Sequence, residues 1–310
     1  MRKKISLKDL GEFDVIREIR KKVRRDNVVE TGIGDDAAVL KVDAKKRLLF
    51  TTDMLIEGRH FKLSDATAFE IGWKAMAVNL SDIAAMGGQP THAVVALGLP
   101  GDLDLAFLKE LYRGMEAVAR RFHVTLVGGD TNRSDKVIIS VALLGEVSPR
   151  SVVKRSGARP GDIIFVTGFL GGSYASKKHL TFLPRINEAK FLIKNFKISA
   201  MMDLSDGLAC DIFQLTSESG VGAFLSKEAI PVSKAAAGVR QALNEGEDFE
   251  LLFTLPVREA ARLSMTRFKK KMVPFHPIGK IVPKKYGVRL IGANGFNEPL
   301  ERRGYDHFRK

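Results

Sequence analysis

Four aspartate positions, far apart in the chain, stand where apolar runs give way to glycine or turn residues. Gly32-Ile33-Gly34-Asp35-Asp36 precedes Ala37-Ala38-Val39-Leu40, and Leu48-Leu49-Phe50 runs into Thr51-Thr52-Asp53. Leu126-Val127 leads into Gly128-Gly129-Asp130-Thr131, and Met201-Met202 into Asp203-Leu204-Ser205-Asp206-Gly207. Any one Gly-Asp pair is an ordinary turn or helix cap. Strand ends gather at one edge of a sheet, so four such positions predict a shared site, with glycines that let a phosphate or an ion approach the backbone. Carboxylates packed that tightly repel one another and are costly to desolvate. A hard divalent cation removes the conflict, and an all-oxygen donor set selects Mg2+ over zinc or copper.

Asp82 makes a separate case. Ile71, Ala75, Val78, Asp82 and Ala85 recur at three- and four-residue steps, which puts Asp82 on the apolar stripe of a helix predicted over 68–86. A carboxylate on a core-facing stripe needs a metal or a cation as partner. The alternative is an exposed helix end with Asp82 capping Gly87-Gly88. Asn79 and Ser81 are also polar for a purely structural helix.

No GxxxxGK[ST] loop, protein-kinase signature, HExxH or GxSxG motif occurs in the sequence. Carboxylate-held magnesium among many glycines, without a nucleophile, points to phosphoryl transfer or ATP-driven chemistry by positioning and charge neutralisation.

The elements that must carry these residues alternate along the chain. Strands are predicted at 47–52, 93–99, 124–127, 137–147, 163–167, 200–203 and 249–255, and further helices at 103–122 and 206–217. Turn residues concentrate at Ser148-Pro149 and Gly157-Ala158-Arg159-Pro160-Gly161. With 310 residues, two domains are expected, 1–148 and 149–310, each α/β or α+β.

Composition narrows the class. Hydrophobic residues are 45% and charged residues 28%, the balance of a globular protein, and no apolar run approaches the ~20 residues of a bilayer span. Met1-Arg2-Lys3-Lys4-Ile5-Ser6 is basic without an apolar core, so export is not expected. The single cysteine, Cys210, excludes an intramolecular disulfide and a multi-cysteine metal site, and fits a reducing cytoplasm. A formal charge of +14 suggests polyanions. The basic runs at 21–25, 269–271 and 284–285 lie apart without interleaved aromatics, so they read as solvated faces. A nucleic-acid-binding protein would leave the acidic positions without a use, and neither nucleic acid nor membrane is an expected partner.

Taken in order, these motifs form a recognisable set. Gly11-Glu12-Phe13, GIGDDAAV (32–39), TTD (51–53), EGRHF (57–61), WKAMAVNLSDIAAMGG (73–88) and VGGDT (127–131) are followed by KRSGARPGD (154–162), DLSDGL (203–208), GEDFEL (246–251) and GYDHF (304–308). The set resembles the thiamine-monophosphate kinase family, within the aminoimidazole-ribonucleotide synthetase-like superfamily, from about residue 8 to 308. The resemblance implies a two-domain α/β (α+β) fold of that superfamily, with an N-terminal sheet domain forming a dimer barrel and a C-terminal α/β sandwich. It implies transfer of the ATP γ-phosphoryl group to thiamine monophosphate by direct in-line displacement with several Mg2+ ions. Asp36, Thr51, Thr52, Asp53, Asp82, Asp130, Asp203 and Asp206 would then bind magnesium. Tyr112, Gly129, Asp130, Arg155 and Ser205 would contact ATP, and His60, Glu247 and Tyr305 thiamine monophosphate. A homodimer through the N-terminal domains is also implied.

Arg155 suits a phosphate clamp, since its guanidinium is permanently charged and bidentate. Tyr305 suits stacking on a cationic thiazolium ring, and Glu247 suits offsetting that ring's charge. Taken alone, Arg155 reads as a surface arginine, His60 as a loop or core histidine, Glu247 as a turn residue and Tyr305 as a packed aromatic. Two departures stand out. Asn244-Glu245 replace the small residues usual before GED, and residues 172–198 form a shorter stretch than usual, in which only Leu183-Pro184-Arg185 resembles the family's Pro-Arg element. The resemblance therefore does not carry over a helix in that stretch. A cyclase or dehydratase of the same superfamily is the rival enzyme class, and GEDFEL with GYDHF argues against it.

Overall fold

The structure is a computed structural model that describes residues 7–23, 26–266, 272–305 and 307–308. Residues 1–6, Arg24 and Arg25 of the first basic run, the 269–271 run and Asp306 of GYDHF lie outside the described residues.

The first sheet contains β1 (Val29–Thr31), β2 (Ala38–Lys41), β3 (Arg47–Ile56), β4 (Gln89–Leu99), β5 (Thr125–Arg133) and β6 (Ile138–Val147), in the order β1-β2-β3-β6-β4-β5. All pairs are antiparallel except the parallel β4–β5 pair, which leaves β5 as an edge strand. The second sheet contains β7 (Ile163–Thr167), β8 (Ala200–Asp203), β9 (Val221–Ser226), β10 (Leu251–Leu255), β11 (Phe275–Pro283), β12 (Val288–Ile291) and β13 (Asn297–Pro299). Its order is β13-β12-β9-β11-β7-β10-β8. The helices are α1 (Leu7–Leu10), α2 (Glu12–Lys22), α3 (Ala68–Ala85), α4 (Leu105–Arg121), α5 (Lys178–Thr181), α6 (Ile186–Asn195), α7 (Leu208–Ser219), α8 (Val239–Asn244) and α9 (Val257–Met265).

α3 explains how the halves come together. Its start is written in Thr67-x-x-Glu70, a capping box in which Thr67 Oγ1 accepts the Glu70 N–H and the Glu70 carboxylate accepts the Thr67 N–H. From there the helix is buried nearly all round, including Ile71, Met76, Leu80 and Ile83. A two-sided environment is the cause. β3 and β6 pack on α3 from one sheet, and β8, α5 and α6 pack on it from the other half. Phe165, Phe253 and Met201 of the second sheet share one apolar core with α3. Burying each large aliphatic side chain contributes about 1.5–3 kcal/mol, so the face against the second half adds to what the first sheet and α4 contribute. The other face of the second sheet closes on a separate core built with α7.

Three strands, β3, β4 and β5, are longer than predicted, and in two of them this moves an aspartate. β3 continues to Ile56 and β5 to Arg133, so Asp53 and Asp130 lie inside strands and not at their ends. In β3 the pleat then sorts neighbours by face: Thr51 is buried, while Phe50, Thr52 and Met54 emerge on the opposite, open face. The short stretch at 172–198 contains two helices, α5 and α6. Arg185, at the Pro-Arg element, fixes that stretch by donating to both oxygens of Glu250, within GEDFEL, at 2.6 Å.

Candidate active site

One cavity of about 1400 Å3 lies between the halves and is bordered by most of the residues singled out in the sequence. At its acidic end, α3 serves both sheets at once. Asn79 Oδ1 accepts the backbone N–H of Asp53 on β3 at 3.0 Å, and Ser81 Oγ donates to Asp203 Oδ2 on β8 at 2.6 Å. Between them on the helix, Asp82 faces the cavity and accepts a hydrogen bond from Thr51 Oγ1. Those polar positions are therefore the struts that bring carboxylates of two sheets together. One oxygen each from Asp36, Asp82 and Asp203 lies within 4.8 Å of the others. Asp53 joins them through a hydrogen bond with Asp82.

The electrostatics follow from this crowding. Burial first, and neighbouring carboxylates after it, push Asp203 up to about 8 and Asp82 well above the ordinary carboxylate value. Burial also carries Asp53 up to about 6, against the Asp82 hydrogen bond, which lowers it. Asp36 is met by Arg155, whose Nη2 and Nε donate to its Oδ1 at 2.6 and 3.2 Å, while Gln214 Oε1 accepts from Arg155 Nη1 at 3.0 Å. Burial works against the guanidinium's charge, but the surrounding carboxylates outweigh it and hold Arg155 above its usual value. The Oδ2 of Asp36 is buried and has no hydrogen-bond partner. An orphaned carboxylate oxygen beside three more oxygen donors fits a hard cation such as Mg2+.

The other end of the cavity is aromatic. The GED loop folds back on the DLSD loop: the Glu247 N–H donates to Ser205 O at 2.7 Å, and a Cβ on Gly246 would sit 2.7 Å from that same oxygen. Glu247 itself adopts φ +64°, a left-handed conformation that non-glycine residues rarely take and that clusters at functional sites. Its carboxylate accepts from Lys74 Nζ at 2.6 Å, and Lys74 donates also to His60 O at 2.8 Å. The C-terminal segment brings in Tyr305, whose N–H donates to Asp206 O at 3.2 Å. His60 accepts the Ile56 N–H at Nδ1, which leaves Nε2 as its protonated nitrogen. Burial, then His307 and Lys74, press its pKa down to about 4, so the ring is neutral at pH 7.

Of the residues named from sequence, Asp36, Thr51, Asp53, Asp82, Asp203, Asp206, Arg155, Ser205, His60, Glu247 and Tyr305 border this cavity together. Thr52 reaches it only from the open sheet face, where its Oγ1 lies 3.4 Å from Ser140 Oγ, because strand alternation turns it away from Thr51 and Asp53. Tyr112, Gly129 and Asp130 are elsewhere. Tyr112 packs from α4 on the first core. Gly129 and Asp130 lie on edge strand β5, where a Cβ on Gly129 would fall 1.9 Å from Val95 O. Asp130 is exposed there and accepts from Asn132 Nδ2 at 2.6 Å. Two intervening strands separate β5 from β3, a distance of roughly 14 Å at ordinary sheet spacing.

Lys74 is the main residue that the sequence reading passed over. It is fully buried, spaced on the helix with Ile71 and Val78, and the argument that flagged Asp82 applies to it unchanged. Asp35 is another. It accepts the Arg155 N–H at 3.0 Å, and burial, then Asp36, push it up to about 7.

Comparison with known proteins decides the family. The AIR synthase related protein family matches with its N-terminal domain at residues 34–147 and its C-terminal domain at 159–291. The thiamine-monophosphate kinase of Salmonella typhimurium is 35% identical, with 96% of this chain and 98% of the relative covered. The chain belongs to the thiamine-monophosphate kinase family. The Bacillus subtilis member is 32% identical over 97% of this chain and 100% of its own. Among solved structures, AaThiL complexed with AMPPCP and TMP superposes with a TM-score of 0.85 at 33% identity, covering 98% of this chain and 99% of that one. The hydrogenase maturation protein HypE of E. coli, at 22% identity and a TM-score of 0.71 over 94% and 96% of the two chains, shares the fold. The kinase family's two-domain architecture and the order of its motifs therefore extend across nearly the whole chain.

The raised carboxyls give a test that needs no substrate. A carboxyl whose folded pKa exceeds its unfolded value binds its proton more tightly in the native state, so stability is full below about pH 4 and is lost as pH rises through the folded pKa. With Asp53 near 6, Asp35 near 7 and Asp203 near 8, the metal-free protein loses stability from these groups as pH rises from 6.5 to 8. The depressed His60 acts in the opposite sense, but only below its unfolded value of 6.5. Saturating MgCl2 is therefore expected to raise the melting temperature more at pH 8 than at pH 6.5, by up to about 2.7 kcal/mol of stabilisation at a hundredfold excess over Kd. Differential scanning fluorimetry with MgCl2 or EDTA at the two pH values checks this. An equal shift at both would contradict the cation assignment.

Proposed function

We propose that this chain transfers the γ-phosphoryl group of ATP to the phosphate of thiamine monophosphate, giving thiamine diphosphate and ADP by direct in-line displacement. The observation that carries this reading is the joining of two ends in one cavity. Carboxylates from β3, α3 and β8 gather with Arg155 at one end, and Glu247, His60 and Tyr305 lie at the other. Family membership supports the reading over the full length of the chain.

In this mechanism Asp36, Asp53, Asp82, Asp203 and Asp206, with Thr51, hold Mg2+ ions, and Asp130 and Thr52 complete the set. Bound magnesium neutralises phosphate charge that the crowded carboxylates would otherwise repel. Arg155 leaves Asp36 for phosphate oxygens of ATP, and Ser205, Tyr112 and Gly129 belong to the same nucleotide contact. Lys74 fixes the Glu247 carboxylate against the cationic thiazolium ring of the acceptor, Tyr305 stacks on that ring, and His60 donates from Nε2. No side chain forms a covalent phosphoryl intermediate, so positioning and charge supply the rate.

We also propose a homodimer formed through the first sheet, with residues 1–148 as the nucleotide-binding and pairing unit and 149–310 completing the site. Phe50 and Met54 on β3, Val94 on β4 and Val127 on β5 are 46%, 53%, 42% and 57% exposed on that sheet. Such an apolar surface on a sheet is suited to a second copy of itself. Phe50, Thr52 and Met54 of this open face also border the cavity. A partner seated there therefore lies beside the acidic end, and its β5 can supply the Asp130 and Gly129 that cannot reach the site within one chain.

A coupled assay for thiamine diphosphate formed from ATP and thiamine monophosphate, with MgCl2 or with EDTA, tests the activity. Magnesium-dependent formation of thiamine diphosphate is expected. Hydrolysis of ATP without that product would sink the reading.

A further inference from the structure

The aromatic end of the cavity holds one residue that the family motifs leave unassigned. Tyr174 borders the cavity half-exposed, with its ring on His179 at 4.5 Å between centroids. The turn that carries it is tied to the GED loop at three points. Glu245 accepts the N–H groups of Gly172 at 2.6 Å and Tyr174 at 3.2 Å, and Ser173 Oγ donates to Glu247 O at 2.7 Å. Gln241 Nε2 donates to the same Glu245 carboxylate at 2.5 Å. Glu245 is one of the two residues that depart from the small pair usual before GED, and its use here is to fasten the tyrosine's backbone to the loop bearing Glu247.

The surroundings of the ring define what it can bind. Tyr174 borders the cavity together with Glu245, Glu247 and Tyr305, and burial first, then the Glu247 charge, pushes the phenol's pKa up. It stays a neutral phenol at any physiological pH. Tyr305 stands edge-on to His307 at 4.8 Å, which itself lies 5.1 Å from His60. Lys74 occupies Oε2 of Glu247 from inside the core. Two phenol rings and a carboxylate thus converge on one part of the cavity, a combination that attracts a flat cation through ring quadrupole and charge together.

We infer that Tyr174 is the second aromatic wall of the slot that receives a cationic heterocyclic ring, with Tyr305 as the other wall and Glu247 as the counter-charge. This rests on the reading of that end as the acceptor's site. Tyr174 is then a specificity determinant that distinguishes a charged ring from a neutral one, and it has no part in nucleotide binding.

Steady-state kinetics on the full-length Tyr174→Ala, Tyr174→Phe and Tyr305→Ala proteins test it, varying thiamine monophosphate and ATP separately. Tyr174→Ala is expected to raise KM for thiamine monophosphate about tenfold and KM for ATP less than about twofold, while Tyr174→Phe, which keeps the ring, stays within about threefold. A ring that only packs on His179 would lower the melting temperature of Tyr174→Ala without moving either KM. That result, with KM raised by Tyr305→Ala, overturns the wall and leaves the acceptor site standing. No change in KM from either alanine variant overturns both. Tyr174→Leu, which keeps apolar packing on His179, replaces the alanine variant under the same criterion if that variant fails to fold.

Discussion

Asp53→Asn is expected to lower turnover at least ~100-fold while leaving the protein folded, the scale for losing a key electrostatic element. The reason for retained folding lies in the packing. Asp53 is anchored through its backbone N–H to Asn79, and its carboxyl faces Asp82 with Asp36 nearby, so an amide there relieves repulsion without opening a cavity. A melting temperature at or above the wild-type value in EDTA, together with the lost turnover, is the combined signature. The same loss is expected for Asp130→Asn, although Asp130 lies across the sheet from the cluster. Near-wild-type turnover in both variants would reject the metal assignment.

Mixing those two inactive variants should restore activity. If Asp53 comes from one subunit and Asp130 from its partner, a heterodimer of Asp53→Asn with Asp130→Asn contains one site with both changes and one with neither. Random exchange puts half of the dimers in that form, so a 1:1 mixture recovers about 25% of wild-type turnover from two preparations each at ~1% or below. The measurement is activity against time after mixing, with sedimentation to confirm that subunits have exchanged. Full exchange with no recovery would refute the shared site. A monomeric protein at assay concentration would refute the dimer itself.

The acidic site was legible in the sequence to the extent that its residues interrupt apolar patterns. Asp36, Asp82 and Asp203 break apolar runs or stripes, and all three reach one point. Lys74 interrupts the same helix, but lysine on an otherwise apolar helix is easily taken for a snorkelling surface residue, and its partner Glu247 is 173 positions away. Asp130 shows a different limit. Its motif reads like the others, yet it resides on an edge strand, and strand order is set by long-range pairing that no local pattern encodes. The ends of β3 and β5 were misjudged because Thr-Thr-Asp and Gly-Gly-Asp carry turn propensity, which the sheet overrides by pairing Asp53 with Val141 and Asp130 with Ala96. The shortened stretch before β8 still forms α5 and α6, where α6 buries Ile186, Ala189 and Leu192 against the common core.

The position of α3 has a consequence for how this protein can be dissected. Because one helix is roofed by β3 and β6 on one side and by β8, α5 and α6 on the other, a cut in the 148–162 linker would not release two self-sufficient pieces. The leading fragment would strip Trp73, Lys74 and Ser81 of Phe182, Glu247 and Asp203, and the trailing fragment would leave those partners open to water. Asp82 of the acidic cluster, the lysine that holds the Glu247 carboxylate and the seam between the halves are all borne on the same five turns of backbone.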